Sequence, residues 1–345
     1  MAKSKIGWLG GKGPNNEVIL SSRIRLARNM DSIPFPNRAN MEEGEHVFKE
    51  VVSACKKSNF LKNCQVIKLS DYDRIDRQFL MERHLISYEH ARGKGSRGLA
   101  IGDKEIVSVM INEEDHIRLQ GMNPGLQLRE TWFILDRLDN ELGKGLQYAY
   151  SPKFGFLTAC PTNVGTGIRI SVLAHLVGLV IKEDVNRVLQ ALSKIGMIAR
   201  GFYGEGTRVL GDFFQISNQV TLGQNEETII DNLEKVTKQV IGYENTAREY
   251  LFSEEKSKIE DNIYRAYGIL TQTRRIGFEE TMELLSKVRM GIYLKLSLPI
   301  DIQILNELMV ITQPAHLQEV RGGELTQAER DVVRAELIRE RLTQH

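Results

Sequence analysis

Near residue 225 the texture of the chain changes, and that change excludes a single uniform architecture. Before it, short strand-like runs alternate with helical stretches. After it, helix follows helix, with expected spans 226–241, 253–271, 279–290, 300–312 and 326–342, separated by Gly242, Gly277, Pro299, Pro314 and Gly322-Gly323. The length, 345 residues, is enough for two domains. The division expected is a flexible N-terminal arm over 1–16, a mixed domain over 17–247 and a helical domain over 248–345.

In the mixed part, a strand at 17–20 precedes a basic run, and Asn40 caps a helix carrying Val47, Phe48, Val51, Val52 and Cys55 on its inner face. A strand at 65–69, a helix at 72–85 and a hairpin pairing 99–101 with 106–111 around Gly102-Asp103 follow. Asn123-Pro124 reads as a helix start, with Leu128, Trp132, Leu135, Leu138 and Leu142 as its stripe. Next come a strand pair at 146–150 and 156–160, helices at 167–181 and 183–195, and strands at 198–203 and 213–217. Strands joined by hairpins favour an α+β fold over a doubly wound sheet.

Lys and Arg total 46 against 45 for Asp and Glu, so the net charge of +1 does not steer the whole chain to nucleic acid or membrane. Three cysteines, Cys55, Cys64 and Cys160, are odd in number and lack metal-ligand spacing, which suits the cytoplasm. The longest apolar stretch, 170–181, falls short of the roughly 20 residues of a membrane span. The 93–98 segment matches G-x-G-x-x-G but runs into a strand, so it reads as a flexible loop or a lid rather than a dinucleotide fingerprint.

Four segments carry chemistry. Ser21-Ser22-Arg23-Ile24-Arg25-Leu26 turns two arginines to one side of an extended chain, either as a solvated edge or as a phosphate grip. Asn112-Glu113-Glu114-Asp115-His116-Ile117-Arg118 sets three acids together, as a polar loop or as a site for a cation and a proton. The 158–169 segment, which includes Cys160-Pro161-Thr162-Asn163 and ends at Arg169, makes an anion nest between strand and helix; Cys160 taken alone reads as an inert buried thiol, reactive only beside a positive charge or a helix N-terminus. Arg200-Gly201-Phe202-Tyr203-Gly204-Glu205 puts a carboxylate on a glycine turn. Together they supply Arg23, Arg25, Arg118, Arg169 and Arg200 for phosphates, and Glu114 and Glu205 for a guanidinium nucleophile.

In this order, the N-E-E-D-H-x-R, C-P-T-N-x-G-T and R-G-x-x-G-E segments resemble the phosphagen (guanidino) kinase family over roughly 17–247. The absence of that family's N-terminal helical domain of roughly a hundred residues and the Arg330-Asp331-Val332-Val333-Arg334-Ala335 motif make the chain similar to the bacterial protein-arginine kinase branch. The resemblance implies an antiparallel sheet flanked by helices, ATP and Mg²⁺, and a nucleotide site formed by Ser21, Ser22, Arg23, Ile24, Arg25, His84, Arg118, Arg169, Ile170, Ser171, Val172, Leu173, Arg200, Gly201, Phe202, Tyr203, Gly204 and Glu205. His84 would lie near the base, Glu114 and Glu205 would be the catalytic carboxylates, Glu113 would support Mg²⁺ or the cluster, and Cys160 would sit beside the guanidinium. Residues Arg330 to Ala335 would form a regulatory phosphoarginine pocket.

The same resemblance implies partners: protein substrates with exposed arginines, a zinc-binding activator protein, a Clp ATPase, a heat-shock repressor and a second copy of the chain, in a homodimer or higher oligomer. It also implies a role in the stress response. Two rival expectations are a kinase for free guanidino metabolites and a non-catalytic adaptor that binds phosphoarginine proteins.

Overall fold

The computed structural model describes residues 6–201 and 209–343. Among the described residues there are ten strands: β1 (Ile19–Arg28), β2 (Gln65–Lys68), β3 (Gly98–Ile101), β4 (Val107–Ile111), β5 (Ile117–Pro124), β6 (Tyr150–Ser151), β7 (Gly155–Phe156), β8 (Ile168–His175), β9 (Met197–Arg200) and β10 (Phe213–Asn218). Eight form one sheet in the order β2-β3-β4-β5-β1-β8-β10-β9, and every neighbouring pair is antiparallel; β6 and β7 form a small separate ribbon.

The helices are α1 (Met41–Lys57), α2 (Arg74–Glu82), α3 (Tyr88–Arg92), α4 (Leu128–Gly143), α5 (Val177–Ile181), α6 (Val185–Lys194), α7 (Glu226–Glu254), α8 (Lys256–Gln272), α9 (Phe278–Tyr293), α10 (Ile302–Ile311), α11 (Pro314–Arg321) and α12 (Gln327–Thr343). The start of α1 is a capping box, as its sequence dictates. Asn40 Oδ1 accepts from the Glu43 amide at 2.9 Å, and the Glu43 carboxylate accepts from the Asn40 amide at 2.7 Å.

One face of the sheet carries Ile24, Leu26, Ile117, Leu119, Ile168, Ile170, Val172 and Ile216 into a core completed by α1, α4, α6 and α7. A second core joins α8, α9, α10 and α12 to Leu20, Met122, Leu173 and Phe213 from the ends of central strands. The helical part therefore shares apolar packing with the sheet. Among the described residues no helix is long and apolar enough to cross a membrane.

Several sequence expectations are corrected. Residues 117–124 are a strand, and the helix assigned to Asn123-Pro124 begins only at Leu128. The helix expected over 167–181 is mostly β8, with a short α5 after it. The pair at 146–150 and 156–160 shrinks to two-residue strands. The helix expected to stop at Gly242 continues to Glu254. The stretch expected to be a loose arm is packed from Ile6 onward. Trp8 and Leu9 are buried in a 3-10 turn, the Leu9 carbonyl accepts from Asn306 at 3.1 Å, and the Pro14 carbonyl accepts from the Leu126 amide at 2.7 Å.

Candidate active site

The sheet face opposite the main core is polar, and its composition follows from strand alternation. Arg23 and Arg25 alternate with the buried Ile24 and Leu26 on β1. Cross-strand register extends the face. Arg25 lies opposite Arg169 on β8 and Gln120 on β5, Ala27 lies opposite Arg118, Ser171 opposite Ser217, and Gln215 opposite Arg200 on β9. Arg23, Arg25, Arg118, Arg169 and Arg200 thus line one cleft of about 1120 Å³.

Burial and neighbouring charges perturb these groups. Burial, then Arg118 and Arg169, pushes Arg23 down to about 10. Burial, Arg23, Arg118 and Arg169 push Arg25 well below the usual arginine range, with Glu113 in opposition. For Arg118, burial works against the charge but is outweighed by Glu113, Glu114 and Asp115, which hold its pKa above the usual value.

The 112–116 segment is the turn between β4 and β5, and its residues divide the work. Asn112 adopts a left-handed φ of 57° and donates to the Gly44 and Ser96 carbonyls at 2.8 and 2.7 Å. Asp115 Oδ1 accepts from Asn29 at 2.6 Å and from the Ala159 amide at 2.7 Å, fixing the chain just before Cys160. His116 Nδ1 accepts from the Met30 amide at 3.1 Å, and the ring's other nitrogen, donating, meets the Pro34 carbonyl at 3.0 Å.

That leaves two carboxylates for the cleft. Glu113 is buried, accepting from Ser87 and, at 2.6 Å, from Arg118. Burial pushes its pKa up, but the Arg118 charge and the hydrogen bonds from Ser87 and Arg118 win and bring it down to about 2. Glu114 is exposed to the cleft, and its carboxyl is held above the usual range by partial loss of water and then by Asp115. Cys160 borders the same cleft, with Sγ 3.0 Å from the Thr162 hydroxyl.

His84 follows α2 and also lines the cleft. Its backbone is held at a φ of 59°, and its carbonyl accepts from Gln120 at 2.7 Å. Burial, then Arg23 and Arg25, pushes its pKa down to about 3, so the ring is neutral at working pH.

Not all expected residues converge. Ile24, Ile170 and Val172 point into the core on the far side of the sheet, because they occupy the alternate strand positions. Ser22 is buried too, donating to the Gly125 carbonyl and accepting from the Gln127 amide. Ser21, Ser171 and Leu173 border a small adjoining cavity that shares Arg23 and His84 with the cleft. Gly201 is described, whereas Phe202, Tyr203, Gly204 and Glu205 lie outside the described residues.

Arg330 to Ala335 lie on α12, away from this cleft's lining. Arg334 is buried, donating to the Thr312 and Ile276 carbonyls at 2.8 Å each and to Asp331 at 2.6 Å; Ala335 is in the core, Val333 is buried and Val332 is exposed.

Lining residues that sequence reasoning missed include Ser87, Glu89, Arg97, Gln120, Gln215 and Ser217, with Phe278, Gln313 and Pro314 from the helical part. Alternation along Phe213-Phe214-Gln215-Ile216-Ser217 was a usable signal for two of them. Among the described residues no cluster of three or more His, Cys, Asp or Glu side chains is placed to hold a metal ion. Each Glu113 oxygen accepts one hydrogen bond, from Ser87 and from Arg118.

Two family models match: the ATP:guanido phosphotransferase C-terminal catalytic domain over residues 46–247, and the protein-arginine kinase McsB C-terminal domain over 256–345. A protein-arginine kinase of Halothermothrix orenii is 47% identical, covering 97% of this chain and 96% of its own length; one of Bacillus pumilus is 43% identical over 97% and 93%. Among solved structures, the duplicated taurocyamine kinase of Schistosoma mansoni matches at TM-score 0.63 and 25% identity, over 71% of this chain and 35% of its own. Lombricine kinase matches at 0.60 and 24%, over 71% and 70%. The arginine-lined sheet, the acidic turn and the matched helical region converge on one conclusion: the chain belongs to the protein-arginine kinase family, within the ATP:guanido phosphotransferases.

Proposed function

We propose that this enzyme moves the γ-phosphoryl group of ATP to arginine side chains of proteins. The observation that carries the reading is the convergence of five arginines on one sheet face, with Arg25 directly opposite Arg169, beside an acidic turn that offers Glu114. Like charges facing each other across a sheet are unfavourable, so the face is built for a multiply charged anion. A triphosphate fits the guanidinium forks. Mg²⁺ arrives on the phosphates, where it supplies charge neutralisation; the described residues offer it no carboxylate cage.

In this reading Arg23, Arg25, Arg118, Arg169 and Arg200 hold the phosphates in line, with Ser21, Ser171 and Gly201 beside them, and neutral His84 meets the base. Glu113 fixes Arg118. Glu114 and Glu205 grip the substrate guanidinium beside Cys160. A guanidinium nitrogen attacks phosphorus, an N–P bond forms, the bond to the ADP oxygen breaks, and the nitrogen's proton passes to a carboxylate. The raised pKa of Glu114 suits it as that acceptor.

The functional division is a catalytic domain over 17–247 and a helical domain over 248–345 for dimerisation and phosphoarginine sensing through Arg330, Asp331 and Arg334. The hydrogen bond from Arg334 to the Thr312 carbonyl, next to the cleft residues Gln313 and Pro314, supports a link from that motif to the active site. A cytoplasmic role in stress response follows: marking proteins for a Clp protease and silencing a heat-shock repressor, under a zinc-binding activator.

The test is incubation with Mg·ATP and an arginine-rich unfolded protein, with sites mapped by mass spectrometry under non-acidic conditions. Phosphate on protein arginines, lost in Glu114→Gln and Glu205→Gln, is expected. Phosphate on free arginine alone, or none with activator present, overturns the reading.

A further inference from the structure

Trp8 is the largest buried side chain of the N-terminal segment, and it lies outside both stretches matched by the family models. Its indole meets the His84 imidazole edge-on, with centroids 5.4 Å apart and planes at 74°. The two rings share the wall of a small cavity of about 20 Å³, lined also by Ser21, Arg23, Ser171 and Gln215. Arg23, His84 and Gln215 are common to that cavity and the large cleft, so Trp8 stands directly behind the cleft wall.

The setting is held from two sides. The Leu9 carbonyl accepts from Asn306 of α10, whose side chain in turn accepts from Arg289 at 2.5 Å. On the other side Gly7 sits so close to the Lys104 carbonyl that a Cβ would lie 3.0 Å from it. The Trp8 Nε1–H has no hydrogen-bond partner among the described residues. A buried orphan donor is a cost that an aliphatic side chain would avoid. What an aliphatic side chain would not supply is the edge-on contact with the neighbouring ring, and edge-to-face aromatic pairs fix ring orientation.

We infer that Trp8 is a positioning residue for the nucleotide: it fixes the plane of the His84 ring against which the nucleobase rests. The inference rests on the reading of His84 as the base contact. Trp8 touches His84, not the phosphates, so its loss affects recognition of the base and leaves the arginine cradle as it was.

The test compares binding of MgADP and of magnesium tripolyphosphate, which fills the phosphate cradle but carries no base, by titration calorimetry on the full chain. Trp8→Leu is expected to bind MgADP about 3- to 10-fold more weakly, the worth of one aromatic pair, with tripolyphosphate affinity within about twofold of the parent. A general loss of structure would weaken both ligands equally. Equal weakening of both, or no weakening of either, overturns the proposal. His84→Ala separates the two failures. If it selectively weakens MgADP while Trp8→Leu does not, only the role of Trp8 falls; if it too is unselective, the base-contact reading falls with it. The chain has two tryptophans, so Trp132→Phe leaves Trp8 as the sole emitter. Its emission is expected to change with MgADP and not with tripolyphosphate, and an unchanged spectrum with saturating MgADP counts against the proposal.

Discussion

Replacing Glu113 by Gln isolates the electrostatics of the cleft. Glu113 is the buried anion paired with Arg118, in a wall that also carries Arg23, Arg25, Arg169 and Arg200. Its carboxyl falls from an ordinary 4.5 to about 2 in the folded chain. At about 1.4 kcal/mol per pH unit, that shift corresponds to roughly 3 kcal/mol favouring the charged form. Removing one partner of a buried pair costs about 3–5 kcal/mol, because the other charge stays behind. At about 2–4 °C per kcal/mol for a domain this large, the roughly 3–5 kcal/mol means that Glu113→Gln should melt about 6–20 °C below the parent at pH 7, measured by scanning calorimetry. The sign with pH follows from the depressed pKa: the contribution is present above the unfolded value and lost as pH falls through the folded one, so the two melting curves should converge between about pH 5 and 2. Tripolyphosphate should then rescue the variant more than the parent, since an anion restores the missing charge. A variant that melts within about 2 °C of the parent, or equal stabilisation of both by tripolyphosphate, refutes the reasoning.

Glu114→Gln should reduce phosphoryl transfer by about 10²–10⁴-fold, the usual worth of a positioned proton acceptor, with MgADP affinity unchanged in the same calorimetric titration. Arg25→Met removes a cation lying opposite Arg169; the ligand-free chain should gain up to about 1 kcal/mol in denaturant melts, while ATP binding weakens at least tenfold. Asn40→Ala breaks the capping box of α1 and should cost about 1 kcal/mol in the same melts, with transfer rates unaffected.

The polar face of the site was legible because alternation is a local property. Arg23 and Arg25 declare their side of the strand whatever pairs with it, and the acidic run declares a turn. What failed was assignment where a segment's neighbours decide its state. Ile168–His175 is a central strand between β1 and β10, with one face in the core and much of the other buried as well. A run buried on both faces loses its alternation and reads like a buried helix. The opposite error occurred at 117–124, where Ile117, Leu119 and Gly121 do alternate with Arg118, Gln120 and Met122. Asn123-Pro124 outweighed that pattern as a helix start, although a proline serves equally well to end a strand. Gly242 was overvalued as a break: in a 29-residue helix packed along the main core, one glycine costs only about 1 kcal/mol. The carboxylate partners of the helical region, by contrast, left no local mark.

Those partners explain why the domain division is not a linker. Glu82, at the end of α2, accepts from the Ala315 amide at 2.9 Å and from the His316 amide at 3.1 Å, capping α11, and its side chain also meets the His316 ring at 2.9 Å. A carboxylate at a helix N-terminus satisfies donors that would otherwise be orphaned and meets the positive end of the dipole. A second tie runs through Arg248 of α7, paired with Glu244 and hydrogen-bonded to the His175 ring at 3.1 Å, on to Ser286 of α9 at 2.8 Å, which donates to Asp212 at 2.6 Å. Asp212 follows the 202–208 segment that carries Glu205. Both ties end close in sequence to catalytic candidates: Glu82 lies two residues before His84, and Asp212 lies seven residues after Glu205. Breaking either would leave buried charge unpaired, so the helical region cannot shift on the sheet without moving or destabilising the flanks of the active cleft. A ligand that binds the helical region in one arrangement only would, by linkage, bias the geometry of the phosphoryl-transfer site.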